Sequence, residues 1–173
     1  MSIEDYVRQV IEFVRMHELW AAPIVFCLAF GESLAFLSLL IPAWAALVGI
    51  GALIGASGID FWSIWVAGSI GAALGDWFSY WLGVTFKTPI ARAWPLSRFP
   101  DLLPRGERFI QRYGVYAIFI GRFFGPLRAS VPLVAGILAM SWWSFQLANF
   151  TSAFLWAAVL LAPGTLGLKF LMM

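Results

Sequence analysis

One cysteine, one histidine and a charged fraction of only 12% define what this 173-residue chain does without. Cys27 has no second thiol to pair with, so an intrachain disulfide and a thiolate metal cluster are excluded. His17 stands alone, which leaves a histidine metal centre and a paired-histidine phosphatase without support; a solvated or interfacial role suits it better. No nucleophile–base set and no glycine-rich phosphate loop is recognisable. The sequence therefore gives no reason to expect an enzyme, a cofactor, a metal or a nucleic-acid partner. The scarcity of charge also excludes an ordinary soluble domain, since 62% of the residues are hydrophobic and the mean hydropathy is strongly positive. What is left is an all-α integral membrane protein, with apolar runs long enough to span a bilayer. Its ten tryptophans suit interfacial anchoring and tight packing.

Residues 1–20 read as an amphipathic surface helix. Ile3, Tyr6, Val7, Val10, Ile11 and Val14 recur at helical spacing, and the acidic Glu4, Asp5, Glu12 and Glu18 are unlike the basic start of a signal peptide. Residues 21–83 form a first repeat. Ala21 to Ile59 is almost continuously apolar, enough for two passes or for one deep hairpin and a following helix; Glu32 is its only charge, and Pro42 interrupts it. Gly51 and Gly55, then Gly71 and Gly75, have the small-xxx-small spacing that lets helices approach closely. Asp60 is placed as the N-cap of a helix from Phe61 to Gly83, with Asp76 and Tyr80 four apart on one face. Residues 84–112 are expected to be a basic, proline-punctuated loop. A second repeat, 113–164, ends in a spanning helix Trp142–Ala162 capped by Ser141 and stopped by Pro163-Gly164, and 165–173 are a short tail.

The stretch Gly121–Gly136, GRFFGPLRASVPLVAG, is the least expected part of an apolar chain. An arginine near the bilayer centre costs about 2.5–3.5 kcal/mol on insertion scales. Arg122 and Arg128 stand six residues apart among Gly125, Pro126 and Pro132. Proline removes a donor and clashes with the preceding turn, so one continuous helix is disfavoured. Broken backbone at membrane depth is tolerated only inside protein or beside water. The stretch reads as a re-entrant hairpin lining a wet cavity; the competing reading is a kinked helix whose arginines pair with acids for stability.

The two halves echo each other. Gly31-Glu32 is followed ten residues after the glutamate by Pro42, and Gly121-Arg122 ten residues after the arginine by Pro132. Paired, interrupted hydrophobic segments point to transporter binding sites. The expected fold is two inverted repeats, each a re-entrant helical hairpin followed by a spanning helix, after the N-terminal amphipathic helix. The first twenty residues carry a net −2 and the stretch 84–112 a net +4. By the positive-inside rule the basic loop is cytoplasmic and the termini lie on the outer side.

Glu32, Asp76, Arg122 and Arg128 are four charges inside apolar segments, two of each sign. Arginine suits a phosphate because its planar fork donates two hydrogen bonds and stays charged. A half-helix starting near Pro126 or Pro132 would add backbone N–H groups facing an anion. Arg122, Arg128 and Glu32 are therefore the candidate substrate-binding residues; Asp76, Tyr80, Gly125, Pro126, Pro132 and Pro42 support them. An anionic lipid is the expected substrate, a proton on Glu32 the candidate coupling ion, and a second copy of the chain a candidate partner. A structural role for buried ion pairs and a membrane hydrolase or transferase are the rival readings.

These residues resemble the DedA family of membrane proteins, also called the VTT or SNARE-associated Golgi protein family. GRFFGPLRASVPLVAG is similar to the family's G-R-F-x-P-x-x-R-x-x-x-P-x-x-A-G signature, with one register difference at Gly125-Pro126, and Glu32, Ile41-Pro42 and GDWFSYWLG around Asp76 extend the match. The resemblance implies a bacterial inner-membrane transporter with two re-entrant hairpins that flips undecaprenyl phosphate, a polyprenyl phosphate carrier; eukaryotic members are phospholipid scramblases. It carries functional roles onto Glu32, Arg122 and Arg128. Many members hold a second carboxylate in a P-G-[DE] setting, where this chain has Pro42-Ala43-Trp44.

Overall fold

The computed structural model describes residues 12, 16–34, 44–87, 89 and 101–171, which are helical with no strand among them. The helices are α1 (Glu18–Ser33), α2 (Trp44–Ser57), α3 (Phe61–Phe86), α4 (Leu102–Tyr113), α5 (Tyr116–Gly121), α6 (Gly125–Ile137) and α7 (Trp142–Leu171). Most of the N-terminal amphipathic segment, Pro42 and the middle of the basic stretch lie outside the described residues.

Two long helices carry the architecture. α3 starts where expected: Asp60 Oδ2 accepts the Ser63 backbone N–H at 2.8 Å and the Ser63 hydroxyl at 2.6 Å. This satisfies donors that a helix start leaves without partners. At ~1.5 Å per residue its 26 residues reach about 39 Å, beyond the ~30 Å of a hydrocarbon core. α7 begins directly after Ser141, and its segment Trp142–Ala162 is both long and apolar enough to cross a membrane. By contrast α1, α2 and α6 have 16, 14 and 13 residues, about 20–24 Å each, short of a full crossing.

Side chains and glycines decide which helices meet. α3 packs on α1, α6 and α7, while α2 packs mainly on α7 and hardly on α1. The two limbs of the first half thus splay onto different long helices, and α5 and α6 do the same on α7 and α3. The α1–α3 seam closes at Gly71 and Gly75; a Cβ on Gly75 would stand 2.5 Å from the Phe30 carbonyl oxygen. Gly83 of α3 meets Gly136 of α6 backbone to backbone, and Gly51 of α2 meets the Leu161 backbone of α7. α3 and α7 are joined by the Trp65 indole, which stacks edge-on against Phe154 and donates to its carbonyl at 2.9 Å.

Three expectations about helix ends are corrected. Pro132 does not break α6, and Pro163-Gly164 does not end α7, which continues to Leu171. A proline forfeits one N–H bond, and a helix packed among neighbours absorbs that loss. The chain instead breaks at Arg122–Phe124, where Phe124 turns extended (φ −103°, ψ 91°) and Pro126 falls in the first turn of α6, the position proline favours. The basic stretch 84–112 is not a loop at either end: α3 runs to Phe86, and α4 places Gly106 and Ile110 against the bundle, with Arg105, Arg108 and Arg112 exposed.

Candidate functional site

The apolar interior falls into two clusters. One gathers Val25, Leu47, Ala72, Ala73, Ala153 and Trp156; the other gathers Tyr80, Ile118, Val131, Val134, Phe145 and Ala148. The four embedded charges lie in the gap between them, midway along α3 and along Trp142–Ala162 of α7. Exposure is 7% for Glu32, 2% for Asp76, 3% for Arg122 and 7% for Arg128.

The charges form two ion pairs. Arg122, just beyond the end of α5, donates from Nη2 to Asp76 Oδ2 on α3 at 2.5 Å. The same nitrogen reaches Asn149 Oδ1 at 2.5 Å and the Asn149 carbonyl at 3.3 Å, and Nε donates to Ser152 Oγ at 3.0 Å. Asn149 is pinned in turn, its Nδ2 donating to the Ala73 carbonyl at 2.8 Å and to Gln146 Oε1 at 3.3 Å. Arg128, in the first turns of α6, donates from Nη1 to Glu32 Oε1 at 3.1 Å and from Nη2 to Ser33 Oγ at 3.0 Å. Its guanidinium carbon lies 4.1 Å from the ring centroid of Trp156, a cation–π contact inside the bundle. Asp76 Oδ1, Arg122 Nη1 and Arg128 Nε have no hydrogen-bond partner among the described residues. Buried polar atoms of this kind are costly unless satisfied, so a layer with two open donors and one open acceptor is suited to taking up a further polar group.

The structure brings Glu32, Asp76, Arg122 and Arg128 into one layer. Tyr80 stays out of it, donating its hydroxyl to the Met140 carbonyl at 2.6 Å and stacking on Phe145. Pro132 stands on α6 one turn beyond Arg128, and Gly125 and Pro126 open that helix; Pro42 lies outside the described residues. Ser33, Asn149, Ser152 and Trp156 contact the two arginines and are not singled out by the sequence reading. Their signal was present: Gln146, Asn149 and Ser152 recur every three residues in a segment otherwise apolar enough to span, and Ser33 adjoins Glu32.

Comparison with known proteins gives the family of the chain. A VTT domain model matches residues 41–166. The chain is 38% identical over 154 residues to the inner membrane protein YabI of Escherichia coli, covering 89% of this chain and 61% of YabI. It is 31% identical over 152 residues to the uncharacterized membrane protein BU139 of Buchnera aphidicola (88% and 59%), and 29% identical over 146 residues to the E. coli inner membrane protein YqjA (82% and 64%). The chain thus spans about three fifths of the length of these curated relatives. No solved structure matches it. The match over most of the chain, which takes in both arginines and Asp76, means that this protein belongs to the VTT-domain, or DedA, family of membrane proteins.

Proposed function

We propose that this chain is a transporter of the bacterial inner membrane that flips a polyprenyl phosphate lipid carrier, such as undecaprenyl phosphate, rather than an enzyme. The observation that carries the reading is the pair of buried arginines at mid-length of the two long helices α3 and α7, each held by a carboxylate from another helix. A cation so placed is costly, and ion pairing with a desolvated acid is weak as a source of stability. A phosphate head asks for guanidinium donors, and a prenyl tail asks for an apolar flank, which the exposed Phe123 and Phe124 beside Arg122 supply. Relatives named as inner membrane proteins support the location.

The same reading takes the two halves as inverted repeats with re-entrant hairpins. The reciprocal packing of α2 on α7 and α6 on α3, by helices too short to cross, supports it. It places the basic stretch around α4 in the cytoplasm and the termini on the outer side, with a proton as coupling ion and a second copy of the chain as a candidate partner. A purely structural role is the second reading, and the dense hydrogen bonding of Arg122 favours it. Reconstitution in liposomes with a labelled polyprenyl phosphate separates the two. Translocation above protein-free liposomes that falls in Arg122→Lys and Arg128→Lys supports transport, because lysine keeps the charge and loses the fork. Well-folded protein that moves no headgroup refutes it.

A further inference from the structure

We infer that the two ion pairs have different roles: Arg122–Asp76 is a fixed tie, whereas Arg128–Glu32 is the releasable pair, with Glu32 an internal competitor for the anion that Arg128 binds. This rests on the lipid-phosphate reading and divides the labour within it.

The partners differ first. Arg122 is gripped by four acceptors from α3 and α7, the closest at 2.5 Å. Arg128 has one carboxylate oxygen and one hydroxyl, both from the last turn of α1, at 3.1 and 3.0 Å. The elements differ as well. α3 and α7 pack directly along their lengths, so the Arg122 tie lies inside a closed seam. α1 and α6 are not among the helix pairs that pack extensively; α1 lies on α3, and α6 lies on α3 and α4. Among the described residues, Arg128 therefore reaches across to a helix on which α6 does not pack extensively.

Position along the helices reinforces this. Asp76 and Asn149 sit in the interiors of α3 and α7, anchored by regular helix on both sides. Glu32 stands two residues before α1 gives way to the extended Leu34, and Arg128 four residues after the break at Phe124. The α1 backbone stays packed on Gly75 of α3 at Phe30 and Ser33, so release is a movement of the Glu32 side chain and not an opening of the helix end. The donor geometry completes the argument. The Nη1 and Nη2 groups that now serve Glu32 and Ser33 form the edge that grips a phosphate through two parallel bonds, and Nε is open already. A phosphate takes this edge only by displacing Glu32. Trp156 supports the guanidinium face throughout the exchange.

Removing the competitor then strengthens binding, which no purely structural role predicts. The test measures dissociation constants of the full chain in detergent for a short-chain polyprenyl monophosphate and for inorganic phosphate; the second probe separates headgroup recognition from lipid binding. Glu32→Gln is expected to bind the lipid probe about tenfold more tightly, the change that ~1.4 kcal/mol represents. Ser33→Ala, which loosens the same edge without removing a charge, is expected to tighten it by a smaller factor and carries the test if Glu32→Gln fails to fold. Asp76→Asn is expected to bring no tightening, and Arg128→Gln to abolish binding. Wild-type binding that neither Glu32→Gln nor Ser33→Ala tightens, equal tightening by Asp76→Asn, or retained binding in Arg128→Gln overturns the division of roles. A folded wild-type chain that binds neither probe refutes the lipid-phosphate reading itself.

Discussion

A double-mutant cycle on Asp76 and Arg122 tests the geometry of the tie between α3 and α7. Breaking a buried pair by removing one partner costs about 3–5 kcal/mol, because the other charge is left uncompensated. The structure says which removal costs more. In Asp76→Asn the guanidinium keeps the Asn149 side-chain and backbone oxygens and the Ser152 hydroxyl, so the loss falls near the low end, about 3 kcal/mol. In Arg122→Gln the carboxylate loses the bond to Oδ2 while Oδ1 already has no partner among the described residues, so the loss approaches about 5 kcal/mol. The double variant removes both charges and is expected to cost less than the sum by about 3 kcal/mol, the upper range for residues in direct contact. At roughly 2–4 °C per kcal/mol for a chain of this size, Asp76→Asn lowers the melting temperature by about 6–12 °C. The intrinsic tryptophan fluorescence of the detergent-solubilised protein reports all four forms. Additivity within about 0.5 kcal/mol, or a larger loss for Asp76→Asn than for Arg122→Gln, refutes the pairing as described.

Gly75→Val is expected to abolish folded yield in size-exclusion chromatography, because its Cβ meets the Phe30 backbone oxygen and Ser33 Cβ. Gly49→Ala, with open space at that point, should keep the yield and gain about 0.5–1 kcal/mol of helix stability. Ala139 turns the chain between α6 and α7 at φ +52°, so Ala139→Gly should stabilise by about 1 kcal/mol, read as a raised melting temperature; no change or a decrease counts against strain there. The Ser63 hydrogen bonds hold the exposed Asp60 carboxyl below its ordinary value of 3.8. Its folded form is the more acidic, so its stabilisation is present above that value and is lost as pH falls through the lowered one. Melting temperatures compared across pH 2–5 (about the carboxylate range) should show this acid loss in the wild type and its absence in Asp60→Asn.

Much of the framework was legible because its signals are local. Asp60 before an apolar run gives the start of α3, Ser141 before Trp142 the start of α7, and the glycine spacings gave close seams that the structure places at Gly71, Gly75 and Gly51. Four charges in apolar sequence identified the polar layer. Their partners were not legible, since pairing Glu32 with Arg128 and Asp76 with Arg122 depends on how α1, α3 and α6 cross, which no local pattern encodes. Pro132 and Pro163 misled because a proline rule describes an isolated helix, whereas these stand in helices held by neighbours. Asn149 and Ser152 were overlooked because neutral polar residues raise no alarm in a hydropathy pattern, though here they orient a buried guanidinium.

The crossed packing of the short helices bears on how the protein is made. α2 leaves the ribosome early, yet the helix it rests on, α7, is synthesised after everything between them. Until then the Gly51 face of α2 lacks the Leu161 backbone on which it packs in the finished fold. The first half cannot reach its final packing on its own, because the partners of α3 and α2 include α6 and α7 of the second half. Assembly is therefore expected to finish only once α7 has been made. Two fragments divided within the basic stretch should remain separately unfinished and become protease-resistant only when both occupy the same membrane.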